Sequence, residues 1–431
     1  MGEESLRRSS LWMISGQGVA MASQIVYFVL IGRALGSREY GAFVGVAALI
    51  AVLSQFSSLG MEMILVRNIS RDRTSFARTW GDALLITAAG FLLLLGAAMF
   101  YAHYALGPEL RSLVPWIALS DGLFGKLVQL TARAFQGAAR LAWTARLTAL
   151  LTMGRALTAC LLFAWTRGHG IHATALTWAR VYWVATLGVA LFALLLATVR
   201  LGLPRFGCIH RADLSEGLSF SFAGSSISVY NDIDKTFLVS LGQDYAAGIY
   251  SAAYRVIDAA SAPIYAVYAA AAPRFFREGS GGVRQARAFA RTTLARTLPY
   301  SLGAAVLLAL AAPLLPLVFG PSFRGSVAAI RWLCLLPVLR ALHYAWGSAI
   351  TASASQWNRT ATQFGAAALN LCLNFLLIPH WSWRGAAAAS LLTDGALAAA
   401  SLLVLSRLTG REASATPLDR HPKPRAQQAA E

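Results

Sequence analysis

Ten of the ionisable side chains inside long apolar stretches of this sequence have types and spacing that point to handling of a charged species. Asp232, Asp234, Lys235, Arg255 and Asp258 fall between Ser219 and Asp258, while Asp121, Lys126, Arg133, Arg155 and Arg180 lie in three earlier apolar runs. A charge at bilayer depth costs about 2.5–3.5 kcal/mol even on the lenient insertion scales, so such residues face protein or a wet cavity rather than lipid. Helical spacing groups them. Gly122, Lys126, Gln129 and Arg133 recur at i, i+4, i+7 and i+11, with Asp121 beside that stripe; Ser225, Ser228, Asp232 and Lys235 share a second face; Gly248, Ser251, Arg255 and Asp258 share a third. Asp232 reaches Lys235, and Arg255 reaches Asp258, within one helical turn. Arg155 and Arg180 have no carboxylate so near and need an anion from elsewhere, which a bound substrate provides. Arginine suits phosphate because its planar fork donates two hydrogen bonds at once. Asp232 or Asp234 is the candidate carrier of a coupling proton or Na⁺, since a carboxylate beside a cation titrates with its surroundings. The competing interpretation of the same residues is a set of ion pairs that lock helices together.

The elements that carry these side chains are membrane helices. Of the 431 residues, 57% are hydrophobic and 13% charged, a composition outside the range of ordinary soluble domains. The net charge of +18 resides in short loops between apolar runs, which marks membrane topology rather than nucleic-acid binding. A span needs about 20 residues. Twelve such runs lie near 9–31, 40–60, 78–101, 110–136, 142–165, 171–198, 214–240, 245–272, 294–319, 325–353, 359–378 and 385–407. The fourth, seventh and tenth are polar enough to score low on hydropathy. With a cytoplasmic N-terminus, inside segments hold 23 basic residues and outside segments 6, which predicts both termini inside. Residues 61–77 read as a short interfacial helix; Arg284, Arg287 and Arg291 form a basic face suited to anchoring or to headgroup phosphates. Residues 411–431 read as a disordered tail. The four cysteines are expected as free thiols, the histidines as loop, tail or interface residues, most tryptophans (Trp80 among them) as an aromatic belt, and Glu62 as an interface residue. Pro299, Pro313, Pro316 and Pro337 predict kinks in the ninth and tenth spans. No cofactor or metal motif is present.

An internal repeat organises the chain. LIGRALGSREYGAFVGVAALI joins spans one and two; FLVSLGQDYAAGIYSAAYRVI joins spans seven and eight. Leu35-Gly36 with Gly41 matches Leu241-Gly242 with Gly248 after a one-residue insertion. Both turns fall on the same side, as in parallel repeats related by an axis along the membrane normal. The expected domains are an N-terminal six-helix bundle (1–200), a C-terminal six-helix bundle (201–410) and the tail.

These words carry a resemblance. YNDIDKTFLVSLGQDYAAGIYSAAYRV, GRALGSREYGAFVGVAAL, SQFSSLGMEMILVRNIS, LLPLVFGPSFRGSVAAIRWLCLLP and NRTATQFGAAALNLCLNFLLIPHWSWRGAAAASLLTD resemble the polysaccharide-export (Wzx-type) lipid-linked oligosaccharide flippases of the MATE/MurJ-like superfamily. The resemblance covers most of the chain to about residue 408. It implies an all-α integral membrane protein with two six-helix bundles related by pseudo-two-fold symmetry around a central cavity. It implies an undecaprenyl-pyrophosphate-linked glycan as cargo, turned over in the bacterial inner membrane for O-antigen, exopolysaccharide or capsule synthesis by ion-coupled alternating access. Other polysaccharide-assembly proteins, a glycan polymerase among them, are then the expected partners, and nucleic acid is not. It places Asp232, Asp234 and Lys235 of the seventh helix on the cavity. Lys126, Arg133, Arg155, Arg180 and Arg255 as substrate cations, and Asp121 and Asp258 as charge-balancing acids, rest on depth and spacing instead. The six cations and four acids sum to a slightly basic chamber, whereas an exporter of cationic drugs, the alternative within transport, calls for an acidic one. A membrane glycan polymerase or ligase calls for a long external loop, and no outward connection exceeds about a dozen residues. The expected protein is therefore not an enzyme.

Overall fold

The computed structural model describes residues 3–207, 211–353 and 356–414; among them every regular element is helical. Residues 415–431, and with them most of the expected tail, lie outside the described residues, as do Cys208, His210 and His421. Cys160 and Cys372 are free thiols.

The first two spans form one long helix, α1 (Glu3–Ser54), interrupted at Gly36, whose φ of 75° and ψ of 172° no helical residue adopts. A left-handed φ at that point favours glycine, which has no Cβ to clash. A turn containing Leu59 (φ 43°) and Gly60 (φ 68°) then leads into α2 (Met61–Arg71). The short helix expected over 61–77 is present, but its apolar stripe is not laid on a membrane surface. Met61, Ile64, Leu65 and Ile69 are buried against Trp80, Ile86 and Leu130. Trp80, expected in an interfacial belt, is a core residue at 1% exposure. Arg67 of α2 is ion-paired with Asp213 at 2.6 Å and with Glu216.

The third span is α3 (Phe76–Ala105). The fourth is composite: α4 (Pro108–Ile117), a π-helical segment (Ala118–Phe124) and α5 (Gly125–Gly137). Then follow α6 (Leu141–His169), α7 (Ala175–Leu201), α8 (Arg211–Ser240), α9 (Asp244–Ser280) and α10 (Val283–Ala311). The remainder comprises α11 (Leu315–Phe319), α12 (Ser326–Leu333), α13 (Leu336–Ala352), α14 (Gln356–Trp381) and α15 (Trp383–Ser414). Nine helical stretches among the described residues are long and apolar enough to cross a membrane, one of which, Ser15–Ser54, contains both runs of α1. The fourth and seventh spans miss that criterion, as expected; the tenth, also expected to score low, meets it within Ser326–Ala352. Pro313 lies in the 3₁₀ turn Ala312–Leu314 that separates α10 from α11, and Pro316 and Pro337 stand in the first turns of α11 and α13. Pro299 is accommodated within α10.

The chain divides into two compact units. The first comprises residues 1–256, 310–332 and 369–389; the second comprises 257–309, 333–368 and 390–431. In the second unit, Ile264, Tyr268, Phe275, Leu294, Ala345 and Leu405 form the core. His343, expected at a loop or interface, instead sits within α13, 3.4 Å from the fully buried Asp394 of α15.

The internal repeat is visible as a contact inside the first unit. Gly242, the counterpart of Gly36, also has a left-handed φ, 69°. Gly41 and Gly248 pack backbone to backbone: a Cβ on Gly41 would overlap the carbonyl oxygen of Asp244, and one on Gly248 would overlap that of Ser37. Close approach of helix backbones is what small residues permit in membrane proteins. Gly248→Val should therefore lower the thermal unfolding midpoint of the detergent-purified protein by the equivalent of about 1–3 kcal/mol. Gly41→Val should do the same, and the double variant should cost less than the sum, because both changes pry apart one contact. An unshifted midpoint for either single variant would contradict this packing.

Candidate functional site

The fourth span contributes the first element of the site. In the π-helical segment the backbone N–H of Gly125 bonds to Ser120 O, five residues back, which widens the helix by one residue. π-Bulges of this kind occur frequently at functional sites. Ser57 Oγ donates to the Gly122 carbonyl at 2.6 Å, and Ser120 Oγ shares a hydrogen bond with Thr186 Oγ1 at 2.9 Å. The widened turn presents Asp121. Its Oδ1 accepts from Arg155 Nη2 of α6 at 2.6 Å and from the Tyr182 hydroxyl of α7 at 2.7 Å. Arg155 also lies over the Tyr182 ring, with Cζ 4.8 Å from its centroid. Gly125 packs beside this pair, where a Cβ would make ordinary contact with Arg155 Nη2 at 3.4 Å.

The opposite wall comes from α1, α8 and α9. Thr236 Oγ1 of α8 donates to the Gly45 carbonyl of α1 at 3.0 Å, and Val239 packs on Gly45, which fixes the rotation of α8. Asp232 then faces inward and is held from behind by Lys235 Nζ at 2.7 Å. Arg255 of α9 lies over Phe28, with Cζ 4.2 Å from the ring centroid. Tyr27, Phe28, Phe43 and Tyr182 pack ring on ring, with Tyr27–Phe28 centroids 4.8 Å apart and Phe43–Tyr182 5.7 Å.

These walls enclose a cavity of about 180 Å³ lined by Gln24, Tyr27, Phe28, Phe43, Asp121, Arg155, Tyr182, Asp232 and Arg255, with Val44, Ala47, Ala48 and Ala51 closing one side. That is smaller than the ~300–1,000 Å³ of pockets that engulf drug-sized ligands. It suits the charged portion of a larger molecule, with aromatic faces for a sugar ring and arginine forks for an oxyanion.

Of the ten residues singled out from the sequence, Asp121, Arg155, Asp232 and Arg255 share this cavity. The others lie elsewhere. Lys126 is buried against Glu62 of α2, Nζ to Oε1 at 3.0 Å, so Glu62 is the partner of a buried cation rather than an interface residue. Arg133 is exposed and bonds Gln136 at 2.7 Å, because the stripe it shares with Lys126 runs out from under its neighbours. Arg180 is exposed on α7, 5.7 Å from the Trp116 ring. The buried face of α7 follows Trp178, Ala179, Tyr182, Thr186 and Ala190, and Arg180 points the other way. Lys235 and Asp234 lie behind the wall; Asp234 accepts from Tyr250 at 2.5 Å. Asp258 belongs to the second unit and pairs with Arg340 at 2.9 Å. Arg155, expected to lack a protein anion, has Asp121 across a helix boundary. The lining thus carries two acids and two arginines, neutral rather than slightly basic. Gln24, Tyr27, Phe28, Phe43 and Tyr182 carried no sequence signal beyond a single polar residue, Gln24, within the first apolar run.

No curated protein matches the chain significantly. Among solved structures it is similar to an inward-facing multidrug resistance MATE transporter of the MOP superfamily, with a TM-score of 0.73 at 15% identity over 91% of this chain and 96% of that one. It is also similar to the lipid II flippase MurJ in an inward closed conformation, with a TM-score of 0.70 at 12% identity over 92% and 87% of the two chains. A third similar structure is a MOP superfamily transporter from Pyrococcus furiosus described as having a binding pocket of reversed polarity, with a TM-score of 0.59 at 15% identity over 95% and 96%. The fold is therefore the all-helical one of the MATE and MurJ transporters, and the protein is a multi-pass membrane protein. A family model described as polysaccharide biosynthesis protein matches residues 6–278, well over half of the chain, and the chain belongs to that family.

Proposed function

We propose that this protein turns over a polyprenyl-diphosphate-linked oligosaccharide from the cytoplasmic to the outer leaflet of a bacterial inner membrane, supplying surface polysaccharide assembly. The observation that carries this reading is the cavity in which Arg155 and Arg255 lie beside aromatic faces. The arginines hold the diphosphate, and Tyr27, Phe28 and Tyr182 take the first sugar. The glycan and lipid tail extend beyond a space this small. Both termini are cytoplasmic, and halves near 1–200 and 201–410 alternate access, coupled to H⁺ or Na⁺. Cavity cations argue against a cationic drug as cargo, which needs uncompensated acid. A polymerase or other assembly protein consumes the flipped product.

The test uses the full chain in vesicles with a fluorescent polyprenyl-diphosphoryl oligosaccharide in the inner leaflet. Protein-dependent appearance of the lipid in the outer leaflet, lost in Arg155→Ala and Arg255→Ala, supports the reading. Equal turnover by wild type and both variants, or none by any of them with the lipid present, overturns it.

A further inference from the structure

The anion that neutralises Arg155 in this structure is a side chain, and its position suggests what it is for. Asp121 Oδ1 accepts from one guanidinium nitrogen and one phenol, Arg155 Nη2 at 2.6 Å and Tyr182 Oη at 2.7 Å. That donor pair is what a non-bridging phosphate oxygen would take. The carboxylate is only partly covered, with 24% of its side chain exposed, and it lines the cavity. Asp121 does not satisfy the whole guanidinium: Arg155 Nε is buried without a hydrogen-bond partner among the described residues. Asp121 projects from a π-helical turn, a backbone arrangement with one more residue than the helix needs. A pair meant only to lock α6 to the fourth span would be drier, as Lys126 and Glu62 are with side chains 6% and 16% exposed.

We propose that Asp121 is an internal stand-in for the substrate diphosphate, displaced from Arg155 when substrate binds and protonated as it leaves. The step rests on the function proposed above. The diphosphate oxygen takes the Arg155 and Tyr182 donors; the Asp121 carboxylate, now beside an anion and without its cation, takes one proton from the buffered solvent that reaches the cavity. No covalent bond forms or breaks apart from that proton transfer. The other groups facing Asp121 are Tyr27 of α1, Tyr182 of α7 and, across the cavity, Asp232 of α8 and Arg255 of α9. Asp232 keeps Lys235 at 2.7 Å and so does not compete for the proton. One proton thus accompanies each substrate that binds and offsets one of the two negative charges that the diphosphate brings into a neutral cavity.

The experiment measures binding of citronellyl diphosphoryl N-acetylglucosamine to the detergent-purified full chain by calorimetry, in buffers of differing ionisation enthalpy between pH 6 and pH 8.5. This diphosphate diester keeps its charge throughout that range, so any proton taken up belongs to the protein. Wild type should take up close to one proton per bound probe, with affinity falling as pH rises. Asp121→Asn should bind about tenfold more tightly at pH 8.5 and take up none. The tighter binding alone follows from removing a negative charge; the lost proton is what displacement requires. Wild-type binding with no proton uptake overturns the proposal without recourse to any variant, and so does uptake that persists in Asp121→Asn. Absence of probe binding, or binding indifferent to Arg155→Ala and Arg255→Ala together, would instead sink the functional reading beneath it.

Discussion

Arg155→Ala and Arg255→Ala should each weaken binding of a prenyl-diphosphoryl sugar by about 100-fold and stop glycan export, whereas Arg180→Ala and Arg133→Ala should leave both within about twofold. The large effect follows from truncating one member of a desolvated charge pair, which costs about 2–5 kcal/mol at a buried recognition site. Both arginines line the cavity, and each lies against an aromatic ring, Tyr182 for Arg155 and Phe28 for Arg255. Arg180 and Arg133 face outward on their helices. Sequence depth alone ranks Arg180 with Arg155, so the four variants separate the two grounds for assignment. Calorimetric affinity and surface glycan at matched protein levels are the measurements. A defect in Arg180→Ala as severe as that in Arg155→Ala would mean that the cavity described here is not where the cargo is held.

The second large effect concerns stability rather than transport. Glu62→Ala should cost about 3–5 kcal/mol, because it strands the Lys126 ammonium in a site where its side chain is only 6% exposed. Against a total stability of about 5–15 kcal/mol, that is enough to lower the yield of folded protein. Replacing both partners, as in Glu62→Leu with Lys126→Met, should restore most of the loss, since a buried pair exchanged for apolar groups of similar volume is often neutral. Fluorescence-monitored thermal unfolding in detergent reads both outcomes. Retained stability in Glu62→Ala would mean that water reaches Lys126 and that the pair is not the lock between α2 and α5 described above. Export lost in a fully stable double variant would return Lys126 to the transport machinery.

Part of the candidate site was legible because membranes penalise charge so heavily. Asp232 and Arg255 stand out in apolar sequence, and both line the cavity. The repeat was legible too: a glycine turn followed by a second glycine appears twice, and the matched Gly41 and Gly248 are the residues that meet. Helix phase was harder to read. Arg180 and Tyr182 are two residues apart, which places them on opposite sides of α7, and only packing shows which side is the inner one. The widened turn at Ala118–Phe124 likewise sets the phase of Asp121, and no local pattern announced it.

The sequence by itself determined the class of protein and most of its helices, because hydrophobicity and chain length act locally and the bilayer reads them one segment at a time. Tertiary structure decided which charges neutralise one another. Arg155 meets Asp121 from 34 positions earlier, and Lys126 meets Glu62 from 64 positions earlier. An ion pair depends on separation in space, and that separation exists only once helices have packed. The same packing turned six expected cations into two that face the cavity, and a basic chamber into a neutral one.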